Sequence, residues 1–387
     1  MITVILLLIF CGFIFNAISQ RQAFRRLSVT RDFSQAMAEA NQPFYLTITV
    51  ENRKLLPISF LEVRQLLPGA FRLHRTGSSD AGGPGAALPE AAGQHTHRTV
   101  MTVMPFQKID RRFRLSAARR GRYVLWNMHL TAGDFLGFNL AHQELSAYNE
   151  LVVPPARYDI ATGLTQYGGK IYGDATVRRW LISDPVLTRG VREYTGREPQ
   201  KAIHWPSSLR AGRLMVRQFD FTCDNEALIV LNAWTSRPVW DIDREALEKC
   251  LSLTRTIAEE LEEQHIPYGL VTNATILGQN LDGQFLAPGT GPAHLTSVLE
   301  ILGRAGGPSP SLGWEMLLRH PAAERYKSGS YQTYIFITPE LPAEIAPAIS
   351  QLHRRGPNVV VISLNPDNLD CLDPAVPAFV PREVARA

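Results

Sequence analysis

Phe44-Tyr45-Leu46-Thr47-Ile48-Thr49-Val50, FYLTITV, alternates large apolar side chains with smaller or polar ones. A period of two sends successive side chains to opposite faces of a strand, so this run predicts a strand with one buried face. Asn52, Arg53 and Lys54 follow as a turn, and LLPISFLEV then opens a second run at Leu55. HRTVMTVMPF from His97 and RYVLWNMHL from Arg122 have the same character. Short β-like runs broken by turn residues predict an antiparallel β-sandwich or barrel, and a β-sandwich domain is expected over residues 21–150. Thr76 to Gln94, TGSSDAGGPGAALPEAAGQ, interrupts it with small residues that supply no core, and reads as a long surface loop.

Further along the chain the period changes. Ala227 to Asn232, ALIVLN, is a continuous apolar run of the kind found in strands buried on both faces. A helix is expected next, with Asp243 as its cap and Leu247, Cys250, Leu251, Thr254, Ile257, Ala258 and Leu261 along one face. The strand IPYGLVT, a helix over Ala293 to Arg304, the strand YQTYIFIT, a helix around Ala343 to Arg354 and the strand NVVVISL complete an alternation. Strands alternating with helices imply parallel pairing, so a doubly wound, Rossmann-like α/β domain is expected over residues 221–387. Residues 151–220 form a basic segment between the two.

The N-terminal residues Met1 to Ser19, MITVILLLIFCGFIFNAIS, carry no charge. At a rise of about 1.5 Å per residue such a stretch just crosses a hydrocarbon layer of about 30 Å. A cleaved signal peptide would want a basic start and a small-residue cleavage site, and neither is present. Arg21, Arg25 and Arg26 follow the run, so the expectation is a single-pass inner-membrane anchor over residues 1–20 with the rest of the chain cytoplasmic.

Composition supports a folded protein: 45% of residues are hydrophobic and 20% charged, close to ordinary globular values. The balance of 40 Lys and Arg against 36 Asp and Glu, net +4, is too small to point to a polyanion. Cys11, Cys223, Cys250 and Cys371 lack a C-x-x-C spacing, so neither a disulfide framework nor a zinc site is expected. No phosphate loop is found around Gly289 and Gly291 or Gly303, Gly306 and Gly307. His95 and His97 form an H-x-H pair with no third ligand in sight.

The most distinctive stretch is Asp184 to Phe219, DPVLTRGVREYTGREPQKAIHWPSSLRAGRLMVRQF. Its elements Gly190-Val191-Arg192-Glu193-Tyr194, Ile203-His204-Trp205, Ser208, Arg210 and Leu214-Met215-Val216-Arg217 resemble the signature of the bacterial family catalogued as domain of unknown function 58. Arg119-Arg120-Gly121-Arg122-Tyr123, Gly133-Asp134-Phe135-Leu136-Gly137-Phe138 and the Glu51 to Pro57 run are similar to further elements of that family. Two departures are Gly196-Arg197, where the family commonly has Gly-Asp, and Pro206 after the tryptophan. The resemblance implies a von Willebrand factor A-like fold after the signature, membrane association, and pairing with MoxR-type AAA ATPases and transglutaminase-like proteins. It implies no established reaction.

An A-type domain holds a divalent cation through D-x-S-x-S after its first strand, because carboxylate and hydroxyl oxygens suit Mg²⁺. The corresponding positions here are Asn232-Ala233-Trp234-Thr235-Ser236. An amide and an indole replace the first two oxygen ligands, leaving Ser236 in register, so no metal or other cofactor is expected. The loop can recognise a partner at the strand ends, or Trp234 can simply cap the core.

From Arg178 to Arg217 nine Lys and Arg face three acids, Asp184, Glu193 and Glu198. An anionic partner surface and a structural use of the arginines both fit that excess. Arginines beside Tyr194 and Trp205 could also neutralise and stack nucleic acid, but no nucleic-acid motif is present and none is expected to bind. The leading reading is therefore a non-catalytic, membrane-anchored interaction or assembly factor with a protein partner, of the MoxR-type ATPase class. Its signature residues are Arg192, Glu193, Tyr194, His204, Trp205, Arg210 and Arg217. The alternatives are an enzyme that uses Arg192, His204 and Trp205, since histidine titrates near neutrality, and a degenerate metal-dependent adhesion module.

Overall fold

The structure is a computed structural model that describes residues 22–74, 94–133, 140–158, 183–193, 204–221, 226–234, 243–278, 284–308 and 333–381; for 183–193 and 216–221 it describes the backbone. The expected anchor, residues 1–20, lies outside that set, as do residues 76–93 of the loop expected over 76–94, Tyr194, Ser236 and residues 134–138. Gln94 begins a strand. The chain divides into two compact units. The first comprises residues 1–157, 275–283 and 296–306, and the second 158–274, 284–295 and 307–387.

The first unit is a β-sandwich. One antiparallel sheet has the order β1-β2-β6-β4, from β1 (Leu27–Phe33), β2 (Pro43–Asn52), β4 (Phe71–His74) and β6 (Lys108–Ala117). The other has the order β5-β3-β7-β8, from β3 (Ile58–Pro68), β5 (Gln94–Val103), β7 (Gly121–Gly133) and β8 (Leu140–Val153). The alternation that opens the sequence is visible in burial: Phe44, Leu46, Ile48 and Val50 are buried while Tyr45 is exposed. They meet Leu61, Val63, Leu125, Met128 and Leu130 of the other sheet in one core. Two such faces remove each other's apolar surface from water, the main favourable term in this unit. Arg31 on β1 is also buried, and its guanidinium donates to Asn149 Oδ1 at 2.9 Å and to the carbonyls of Leu125 and Ala147. Those bonds offset the cost of burying its charge, which depresses its pKa to about 10.

The second unit carries an antiparallel pair, β9 (Ser183–Glu193) with β10 (Met215–Phe221), beside the helix α1 (Trp205–Ala211). It also carries a six-stranded sheet of order β14-β12-β11-β16-β17-β18. These strands are β11 (Ala227–Leu231), β12 (Tyr268–Thr272), β14 (Phe285–Gly289), β16 (Thr333–Thr338), β17 (Asn358–Ser363) and β18 (Ala378–Phe379). The helices are α2 (Arg244–Glu263), α3 (Pro292–Arg304), which ends in the first unit's residues, and α4 (Ala346–Arg354). Short β13 (Ala274–Ile276) and β15 (Ala305–Pro308) form a further pair. Asp243 caps α2, accepting from the Glu245 and Ala246 amides, and the stripe from Leu247 to Leu261 is buried. α2 lies against β11, β12 and β16.

Two expectations are corrected here. The Rossmann-like, von Willebrand factor A-like class does not describe the molecule: the described residues hold eighteen strands against four α-helices, and three of the five sheets are wholly antiparallel, so the described part of the chain is mainly β. In the six-stranded sheet β11, β12, β16, β17 and β18 pair in parallel, but β14 is antiparallel to β12, and β17 reaches β18 with a 3-10 turn, Leu369–Cys371, in place of a crossover helix. A doubly wound sheet needs a helix over each parallel connection, and this one lacks it at that edge. The single-pass inner-membrane anchor and the cytoplasmic placement drawn from it are corrected as well, because no helix among the described residues is long and apolar enough to cross a membrane.

Candidate functional site

The signature residues that the structure describes, all but Tyr194, lie on α1 and at one end of the β9/β10 pair. Register places Met215 opposite Glu193, Val216 opposite Arg192, and Arg217 opposite Val191. Arg192, Glu193 and Arg217 are thus brought to one end of this ribbon, next to the start of β10, where α1 is tied.

Three residues make the tie. His204 is the N-cap of α1: its Nδ1 accepts from the Ser207 amide at 3.3 Å and lies 2.8 Å from Ser207 Oγ. Its own amide donates to the Met215 carbonyl at 2.8 Å. Ser208 is buried, and its hydroxyl accepts from the Met215 amide at 2.8 Å and donates to the His204 carbonyl at 2.9 Å. Pro206, in the first turn, costs no helical hydrogen bond there. Gly212 ends the helix with φ of 64°, a left-handed conformation that spares glycine the Cβ clash.

Those bonds leave the other side of α1 to solvent. Trp205 is 61% exposed, Leu209 82% and Leu214 43%, with Arg210 and Arg213 exposed between and beside them. Positions four apart lie on one helix face, so the indole and Leu209 form a single apolar ridge. Leu209 had no signal of its own in the sequence. Its place four residues after Trp205 becomes informative once both are known to be helical.

The strand-end loop uses its residues differently. Asn232 is fully buried at the end of β11. Its Nδ2 donates to Thr338 Oγ1 at 2.9 Å and to the Trp234 carbonyl at 3.2 Å, and its Oδ1 accepts from the Trp234 amide at 3.0 Å and from Asn273 Nδ2 at 2.8 Å. Asn273 Oδ1 in turn accepts from the Ala233 amide at 2.7 Å. Both donors and both lone pairs of the Asn232 amide are engaged, so the residue at the first ligand position of an A-type metal site acts here as a structural tie between strand ends. Trp234, half-buried, is held by its backbone to the same amide.

The other resemblance elements that the structure describes, at 51–57 and 119–123, lie in the first unit and hold chain segments together. Asn52 is fully buried and donates to the carbonyls of Leu56, at 2.9 Å, and Met104, at 3.0 Å. Lys54 Nζ donates to the Gln22 carbonyl at 2.6 Å and to that of Ala23, and burial pushes its pKa down to about 8. Arg120 Nη1 reaches the Leu302 carbonyl at 3.0 Å and that of Ala305. Arg122 pairs with Glu150 at 2.9 Å, and Arg304 with the same carboxylate at 2.5 Å. Burial pushes the Glu150 carboxyl up, but Arg122, the Tyr148 hydroxyl and Arg304 outweigh it and hold the group below its ordinary range. His95 and His97 lie on β5, where His97 Nδ1 is 3.3 Å from Gln65 Nε2 and its ring rests on Phe113. Among the described residues no group of three or more His, Cys, Asp and Glu is placed to hold a metal ion.

No family model and no curated protein matches the chain. Among solved structures it is similar to a cohesin module of a Clostridium perfringens family 33 glycoside hydrolase, at 11% identity over 33% of this chain and 98% of that one, with a TM-score of 0.23. A CARDB domain from Pyrococcus furiosus is similar at 12% identity over 34% of this chain and 90% of that one, TM-score 0.21. A non-cellulosomal cohesin from Archaeoglobus fulgidus is similar at 9% identity over 33% and 91%, TM-score 0.22. None of the three is a von Willebrand factor A domain. At these scores the similarities carry no argument about activity or partners.

Proposed function

We propose that this protein is a non-catalytic interaction or assembly factor that binds another protein through α1 and the adjoining β9/β10 pair, and that the partner is a MoxR-type AAA ATPase. The observation that carries the reading is the division of labour on α1. His204 and Ser208 are committed to holding the helix, whereas Trp205 and Leu209 stand in solvent. Tryptophan is among the residues most often found at the energetic centre of an interface, and leaving one largely exposed forfeits its burial energy until a partner arrives. The ATPase as partner rests on the signature resemblance.

Purified full-length protein and a MoxR-type ATPase are expected to co-elute from a sizing column in at least one of the ATP, ADP and nucleotide-free states. Separate elution in all three overturns the pairing. His204→Asn separates this reading from an enzyme that uses Arg192, His204 and Trp205, because asparagine caps a helix well but is no general base. Co-elution is expected to survive that change, whereas a catalytic histidine predicts loss of turnover with the fold intact.

A further inference from the structure

We infer that the free edge of β8 from Leu140 to Ser146 pairs, antiparallel, with the same edge of a second copy of this chain, joining two β5-β3-β7-β8 sheets across a two-fold axis at Gln143. No residue of α1 takes part, so the contact is separate from the interaction surface above. β8 is the last strand of its sheet. Its later half is already engaged: the Ala147 carbonyl accepts from Arg31 Nη2, and the Val152 backbone bonds to Ala36 and Ala38. Among the described residues, Leu140 to Ser146 bond to β7 alone, and His142, Gln143, Glu144 and Ser146 are exposed. A strand edge with unmet backbone donors and acceptors is a template for another strand.

The other edges of the three larger sheets are protected. β1 lies against β8 and turns a charge inward at Arg31. β4 has four residues, β14 contains Pro288, and β18 is two residues directly after Pro377. β5 carries Arg98 and no acid that could face it in a second copy. Short edges, prolines and inward or unmatched charges all oppose edge pairing. Leu140 to Ser146, LAHQELS, has no proline, lysine or arginine.

Register decides the occupant. A two-fold axis normal to the sheet keeps each face on its own side, so it passes through a residue and sets the flanking residues against each other. Centred on Gln143, it sets His142 against Glu144 of the other copy on both sides of the axis, Ala141 against Leu145 and Leu140 against Ser146. Centred on Glu144, it would set carboxylate against carboxylate. His142 and Glu144 share the outer face, where β7 already orients them: Thr131 Oγ1 lies 3.1 Å from His142 Nδ1, and Asn127 Nδ2 donates to Glu144 Oε1 at 2.6 Å. That leaves the imidazole Nε2 and the second carboxylate oxygen for the other copy. Ala141 and Leu145 pack on the core side.

The full-length chain is expected to show a reversible monomer–dimer equilibrium by sedimentation velocity between about 1 and 100 µM, the range a short strand pairing supports. Gln143→Cys is expected to be joined to itself across the dimer by a short thiol-reactive cross-linker, because residues directly opposite in an antiparallel pair have Cβ atoms about 5 Å apart. Thr96→Cys, on the exposed edge of β5, is the control. Peptide mapping separates the product from any formed by the four native cysteines. His142→Glu sets two carboxylates together on each side of the axis and is expected to weaken dimerisation about tenfold, with the melt of the monomer unchanged. Adding Glu144→His to that chain restores the opposition of the two groups, and the dimer is expected to return with it. A chain that stays monomeric over that range, a dimer that cross-links no better through position 143 than through 96, or a double variant no tighter than His142→Glu alone each overturn the inference.

Discussion

Lys54 shows how a single charged residue can be held inside this fold. Its ammonium lies against the carbonyls of Gln22 and Ala23, and burial lowers its pKa to about 8. A base whose folded pKa is depressed binds fewer protons folded than unfolded between about pH 8 and the ordinary lysine range near 10.4, so stability rises with pH across that window. Below about pH 8 the full cost of the buried charge is present. Urea unfolding of the natural chain and of Lys54→Met at several pH values is expected to show the natural chain gaining stability relative to the variant as pH rises from 8 to about 10.5. A difference that stays flat over this range would mean that the ammonium keeps its solvation. Cys250 is a second buried titratable group: burial pushes its thiol up, which suits a packed and unreactive cysteine.

At the scale of elements, the tie made by Asn232 joins the ends of β11 and β16 and, through Asn273, the residue following β12. Alanine there leaves Asn273 Nδ2, the Trp234 amide and Thr338 Oγ1 with lost partners in a buried site, where each unmet group costs about 1–3 kcal/mol. Asn232→Ala is expected to lower unfolding free energy by about 2–4 kcal/mol, read from denaturant midpoints. A loss under about 0.5 kcal/mol would show that water replaces these bonds readily. The elements also differ in how plainly the sequence announces them. β2, β3, β5 and β7 alternate apolar and polar residues, and α2 repeats apolar residues behind an aspartate cap, so all five are legible locally. β1, β4, β6 and β8 of the sandwich are not announced in this way. β6 reads KIDRRFRLSA, in which Phe113, Leu115 and Ala117 make the buried face and Lys108, Asp110, Arg112 and Arg114 the exposed one, so its charges mask its period. β1 carries a buried arginine, and β8 is mostly exposed until Leu151.

For the molecule as a whole, the first compact unit is not one continuous stretch of chain. Residues 296–306 return to it, and Gly303 lies where a Cβ would stand 2.5 Å from Val152 Cγ1 and 3.1 Å from the Val153 carbonyl oxygen. Arg120 secures the same return through the Leu302 and Ala305 carbonyls. Gly303→Val is expected to displace the end of β8 and cost about 1–3 kcal/mol, with faster hydrogen exchange at Leu151 to Val153. Unchanged exchange there would show that the chain returns by a looser path. The sequence by itself determined that the first unit is built of strands with one buried face, because a period of two is a local property that Phe44 to Val50 displays without help. That the strands form two packed sheets came from the tertiary structure. The sequence also singled out His204 and Trp205. Tertiary structure alone decided that one of them caps a helix while the other faces water, that Asn232 spends its amide on neighbouring strands, and that β14 enters its sheet antiparallel. Burial and pairing depend on residues distant in the chain, and nothing in a local pattern records which distant residues arrive.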